Sequence, residues 1–353
     1  MLDPASMFTP SPLPRNLEAA FRDLASERAS TRASAVRDVV RHALRSDATR
    51  ARAIPLLERA LKDDEAPGVR AEAAVALADV AAGESLPTLL VAVEDDDAHV
   101  RQMALAAIGE IGDARATQRL ERALRDSRPE VRYQAVIAYA RVAKDDPPAV
   151  ATALVRALDD EDGAIRYIAM RVAEEQAVDL KDERLAARAA ELVEGPDPAV
   201  AVVAALYLAR VGRKPGAEVV LDVVAERRDA PELEDEQACV EAAGELGMRE
   251  AIPFLERRVW GQRRVLRTLF AFGAGDHASC AWHARIALAR LGHERARGDI
   301  LRDLGSWRKE TREAAVVAAG RAGVNEARGA LENLGGSVDA ALVREALVRL
   351  GVG

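Results

Sequence analysis

One phrase recurs along almost the whole chain, and it limits the folds open to it more than any other feature. It is cleanest at Leu89–Gly112, LLVAVEDDDAHVRQMALAAIGEIG. An apolar run meets an acidic turn, then a Val-Arg pair, then an Ala-rich run ending in Ile-Gly. Leu, Val and Ile at three-to-four-residue spacing predict amphipathic helices on both sides of the turn. The acids Asp95–Asp97 fall at the N-terminus of the second helix, where carboxylates cap free N–H groups and favour the helix dipole. Gly109 and Gly112 mark close packing and the helix end. The unit is an antiparallel helix pair. A single pair cannot bury its own apolar face, so the pairs must stack.

Aligned on the arginine, Val69-Arg70, Val100-Arg101, Val131-Arg132 and Ile165-Arg166 form one column, extended by Thr31-Arg32 and Thr311-Arg312. The steps from Arg70 to Arg101 and from Arg101 to Arg132 are 31 residues each, and Arg132 to Arg166 is 34. Three residues after each arginine comes alanine: Ala35, Ala73, Ala104, Ala135, Ala169, Ala315. Six residues before the best four comes aspartate: Asp64, Asp95, Asp126, Asp160. Degenerate copies place Ala201, Glu236, Ala281 and Ala340 in the arginine column, giving about ten units.

The Asp…Val-Arg-x-x-Ala…Gly pattern resembles HEAT-like repeats of the short bacterial type, which also occur in phycobilisome lyases. The resemblance spans roughly residues 16–353 and implies an all-α, right-handed α-α superhelix, a HEAT-repeat solenoid of about ten helix pairs. It also implies that the Asp and Arg columns form a structural ladder between neighbouring repeats. Residues 1–15, rich in proline, are expected to be an extended tail, and 16–353 a single solenoid with a lengthened unit at 254–292.

Composition narrows the function. The net charge of −8 argues against a protein that coats nucleic acid along its length. The two cysteines, Cys239 and Cys280, imply no disulfide framework and fit a reducing, cytoplasmic setting. No apolar run is long enough to span a membrane, and no secretory signal is evident at the N-terminus.

Two places depart from the repeat. In HEAT-like arrays, by resemblance, the second helices line the concave side. Positions one, five and nine after the arginine column then face outward: Tyr133, Ile137 and Arg141, then Tyr167, Arg171 and Glu175, then Val202, Leu206 and Arg210. All four tyrosines lie between residues 133 and 207. Tyrosine and arginine combine apolar area with directed polar groups, so this stripe is expected to suit an acidic helix or extended acidic segment of another protein.

The second departure is Leu255–Gly292, where the step from Glu236 to Ala281 is 45 residues. Arg257, Arg258, Arg263, Arg264 and Arg267 crowd its start, interleaved with Trp260, Phe270, Phe272 and Trp282. Basic plus aromatic suits an acidic protein surface, phosphates, single-stranded nucleic acid or anionic lipid. A longer helix with structural aromatics and solvated arginines reads equally well. Within the unit, His277, Cys280 and His283 are of zinc-ligand type, but His283 drifts round the helix from the other two, so no metal is expected.

No catalytic constellation emerges. Deoxyhypusine hydroxylases, which the repeats resemble, need repeated His-Glu pairs, and only His293-Glu294 occurs. The expected function is a non-catalytic protein-interaction scaffold without cofactors. The alternatives are a nucleic-acid-binding HEAT-like protein and a HEAT-like lyase or glycosylase.

Overall fold

The computed structural model describes residues 15–261 and 275–351. These hold twenty α-helices and no strand. They form two compact units divided between Val172 and Ala173. The first contains α1 (Leu17–Asp23), α2 (Ala29–Ala43), α3 (Asp47–Asp63), α4 (Pro67–Ala81), α5 (Leu86–Ala92), α6 (Ala98–Ile111), α7 (Thr117–Ala123), α8 (Pro129–Val142) and α9 (Pro147–Ala157); α10 (Gly163–Glu175) follows. The second continues with α11 (Glu183–Val193), α12 (Pro198–Arg210), α13 (Lys214–Val224), α14 (Leu233–Glu245), α15 (Ile252–Trp260), α16 (Gly275–Arg290), α17 (Glu294–Leu304), α18 (Lys309–Ala322), α19 (Arg328–Glu332) and α20 (Ala340–Arg349). No helix among the described residues is long and apolar enough to cross a membrane.

Each unit is a stack of helix pairs, the architecture of an α-α superhelix. In the first, α2 packs on α4, α4 on α6 and α6 on α8; in the second, α12 packs on α14, α14 on α16 and α18 on α20. Small residues on the second helices make this possible. A Cβ on Gly109 would lie 3.1 Å from Ala138 Cα, one on Gly244 2.6 Å from Ala287 Cα, and one on Gly320 2.8 Å from Ala346 Cα. These glycines share one register, eight residues after the arginine column, and each meets an alanine six residues after the next copy of it. Gly112 has φ +70° and ends α6, as its position after Ile111 predicts.

The ladder is present and is built the same way four times. Arg32, Arg70, Arg101 and Arg132 each grip the aspartate of the following repeat through both Nε and Nη2. The Arg70–Asp95 bonds are 2.8 and 2.7 Å and the Arg101–Asp126 bonds both 2.9 Å; Arg32–Asp64 and Arg132–Asp160 match them. The remaining Nη1 donates backwards to a carbonyl in the preceding turn: Arg70 to Asp64 O, Arg101 to Asp95 O, Arg132 to Asp126 O, Arg166 to Asp160 O. Each aspartate also accepts the N–H two residues on, of Ala66, Asp97, Arg128 and Asp162. Each turn is thus closed by its own aspartate and tied to its neighbours by two arginines. Of the acids at 95–97, Asp97 is the cap of α6, accepting from His99 N and Val100 N.

Candidate functional site

The second-helix faces of the two units differ in chemistry. In the first, Tyr133 and Ile137 on α8 are half-buried, and Arg141 is exposed and paired with Glu110. Tyr167 and Arg171 on α10 are half-buried as well. The partial exposure follows from the helix period: these positions lie one, five and nine residues after the arginine that points into the ladder.

The same face carries a groove at α2, α4 and α6, with a volume of about 490 Å³. Ala33, Gly68, Ala71, Val75 and Met103 are among its lining residues, as are His99 and Glu72. Val75 is 40% exposed. The sequence reading passed over this stretch because α4 and α6 hold no tyrosine or arginine at the outward positions. The available signal was the run of small residues, which leaves a helix surface hollow.

In the second unit Leu206 overturns its expected place. It is 0% exposed, as is Val202, and neither faces outward. Helix α12 is apolar on every side, PAVAVVAALYLAR, and every residue from Val200 to Ala209 is buried. A helix apolar all round is enclosed all round, and its composition signalled this. Tyr207 is enclosed too, with its hydroxyl donating to Leu180 O at 2.7 Å.

Arg210 reaches the surface but lies between two carboxylates. Its Nε donates to Glu174 at 2.5 Å and its Nη1 to Glu245 at 2.7 Å. Glu245 also takes Arg290 Nη1 at 2.7 Å, and Arg290 Nε donates to Arg321 O. Arg321 pairs with Glu241 at 3.1 Å, and Glu241 sits 2.6 Å from His283 Nδ1. Burial pushes Glu245 up, but Arg290 and Arg210 outweigh it and hold the carboxyl low. His283 is the chief cause of the lowered Glu241, helped by Arg321 and Arg290. The sequence reading missed Glu174, Glu241 and Glu245, because the chain of pairs runs across repeats rather than along one.

The long unit divides into structural and exposed parts. Arg258 is structural. Its Nε and Nη2 donate to Val224 O and Val223 O at 3.1 Å, and it pairs with Glu236, tying α15 to the end of α13. Trp260 is half-buried, donates to Asp299 at 3.3 Å, stacks at 5.4 Å on His293 and lies under Arg295. Trp282 packs against the apolar core, edge-on to His283 and under Arg321. Each tryptophan ring is half-buried and partly engaged by its own chain. Arg257 is exposed, over the Phe254 ring at 4.9 Å. Arg263, Arg264, Arg267, Phe270 and Phe272, and the side chain of His277, lie outside the described residues. Cys280 is buried and its thiol is pushed up to about 11 by burial; among the described residues no three His, Cys, Asp or Glu side chains cluster as metal ligands.

HEAT repeats match residues 54–140 and 86–174. Residues 54–174 are thus built of HEAT-like repeats. The fold of the chain is similar to that of YibA from Escherichia coli, 18% identical with a TM-score of 0.51, over 79% of this chain and 93% of that one. Kap121p in its complex with Pho4p shares 12% identity at a TM-score of 0.51, over 94% of this chain and 41% of Kap121p. The CpcE–CpcF phycocyanin lyase complex from Nostoc, 19% identical over 71% of this chain and 96% of that one, has a TM-score of 0.43 and is too loose to argue from. No curated protein matches the HEAT-like chain in sequence.

Proposed function

We propose that this HEAT-like protein is a non-catalytic scaffold that holds an acidic helix or segment of another protein on the second-helix face of its first unit. The observation that carries the reading is the groove of about 490 Å³ across α2, α4 and α6, on the same face as half-buried Tyr133, Ile137, Tyr167 and Arg171 and exposed Arg141. A hollow apolar strip beside half-exposed tyrosines suits a helix or strand laid across it, with the arginines setting charge preference. Kap121p, of like fold, carries Pho4p bound. The ion network at Arg210 makes the second-helix face of the other unit a poorer host. Arg257, with Arg263, Arg264 and Arg267, remains a second candidate contact. A cytoplasmic setting belongs to the same proposal and rests on two buried, unpaired cysteines.

The test is capture from the source lysate, nuclease-treated, on immobilised wild type, a Tyr133→Ala/Tyr167→Ala variant and an Arg263→Glu/Arg264→Glu/Arg267→Glu variant, each with an unchanged melting curve. The expected result is a protein partner held by wild type and lost by the tyrosine variant. Loss in the arginine variant alone moves the site to the long unit. Retention of nucleic acid only, seen when nuclease is omitted, overturns the scaffold reading.

A further inference from the structure

The repeat with the 34-residue step carries a cleft that no part of the preceding reading uses. It lies on the first-helix side of the first unit, between α7, α8 and α9, and has a volume of about 800 Å³. Its floor is apolar: Leu124, Val136, Ala153, Ala157 and Ile165. Three arginines, Arg122, Arg125 and Arg156, stand exposed around it. Among the described residues Arg122 approaches only Glu94, at 3.8 Å. Arg125 and Arg156 make no ion pair or side-chain hydrogen bond among the described residues. In a chain where most arginines are paired and the net charge is −8, three loosely held guanidiniums around one apolar cleft are out of pattern.

We infer that this cleft is a second docking site, for a short acidic peptide segment that seats one large apolar side chain on the floor and places its carboxylates against Arg122, Arg125 and Arg156. The volume is that of a small-ligand site, ~300–1,000 Å³, so it accepts a side chain and its flanking residues rather than a whole helix. Guanidinium groups take carboxylates bidentately, and the apolar floor lowers the local dielectric that would otherwise weaken the contact. Tyr139 adds a donor at the floor: its hydroxyl lies 3.5 Å from Glu121, too long for a firm bond. Glu121 and Asp146 also line the cleft. They disfavour a densely charged phosphate chain, whereas a peptide can space its carboxylates around them. Asp160, at the inner edge, is already neutralised by Arg132. The position follows from the sequence: the three extra residues fall between Arg132 and Asp160, in the stretch that holds α9, at the one place among the well-formed repeats where the period changes.

The experiment is fluorescence anisotropy on the full chain with a labelled Glu-Asp-Glu-Phe-Asp-Glu-Asp peptide, its Phe→Ala form and its all-amide form. Binding is expected for the first, weakened about tenfold or more by removing the ring, and abolished by removing the charges. Arg125→Ala/Arg156→Ala should weaken binding at least about tenfold, whereas Arg115→Ala, whose guanidinium is committed to Asp113, should not. These arginines are exposed, so the variants fold. Absence of binding, or equal binding by the double variant, overturns the proposal. So does binding of decanoate, read by calorimetry, with no binding of the peptide, which would make the cleft a small-carboxylate site. Peptide binding lost only in Tyr133→Ala/Tyr167→Ala would overturn the cleft while leaving the second-helix face intact.

Discussion

Single side chains in this protein are judged by the space their repeat leaves them. At Gly244 a Cβ would lie 2.6 Å from Ala287 Cα and 2.8 Å from its Cβ, both rigid atoms of the facing helix. Gly244→Ala therefore has to push α14 and α16 apart, and a net loss of about 1–2 kcal/mol is expected after the gain in helix propensity. Gly298, inside α17, meets nothing within 4 Å. Gly298→Ala is expected to stabilise by ~0.5–1 kcal/mol. Urea midpoints of the two variants check the contrast, and equal shifts would remove the packing argument. Gly109 was legible as a packing glycine because it sits in the cleanest repeat. Gly244 and Gly320 occupy the same register in degraded copies, where the surrounding motif no longer announces it. Leu206 shows the opposite failure: a correct register led to a wrong exposure, because a helix apolar on all sides has no outward face.

At the level of the turn and its two helices, the ladder governs the response to acid. Burial pushes Asp95 up, but Arg70 and the Asp97 N–H outweigh it and hold the carboxyl below its ordinary value. Asp64 and Asp126 behave alike, and Asp160 is lowered chiefly by Arg132. A carboxylate lowered in the folded state stabilises at pH values above its unfolded pKa of about 3.9, and that stabilisation is lost as pH falls through the lower folded value. The urea midpoint should thus stay level from about pH 7 to 5 and fall steeply below about pH 4. Asp95→Asn should cost ~1–3 kcal/mol at pH 7, since it leaves a half-buried guanidinium without its charge partner, and should flatten the acid limb. A wild-type midpoint that declines evenly across pH 7 to 5 would speak against the ladder as the cause. The ladder was legible because four repeats keep identical residues at identical offsets. The cleft beside α9 was not, since a cavity is set by which helices fail to meet; only the 34-residue step hinted at it.

Across the molecule, one repeat type has been put to different uses in the two units. The first keeps the ladder, a hollow second-helix face and the arginine-ringed cleft. The second has lost most of the arginine column and is held instead by large apolar layers, by the network through Arg210, Glu245 and Arg290, and by Arg258. The expectation that Arg258 belongs to a docking patch took composition for exposure: a basic residue is as useful for closing a lengthened repeat as for contacting a partner. That distinction can be measured through the thiols. Cys239 and Cys280 are 0% and 4% exposed, and burial raises both thiols, Cys280 to about 11. At pH 8 a disulfide reagent such as DTNB should label neither in the native protein and both in denaturant. Cys280 lies within the electrostatic reach of Glu236 and Arg258. Arg258→Ala strips hydrogen bonds from two carbonyls of α13 and frees Glu236, weakening this layer by ~1–3 kcal/mol. Labelling of Cys280 should then accelerate by about 10–100-fold while the native fold persists. If Arg258 were a surface contact for a partner, its removal would leave the thiol as protected as before.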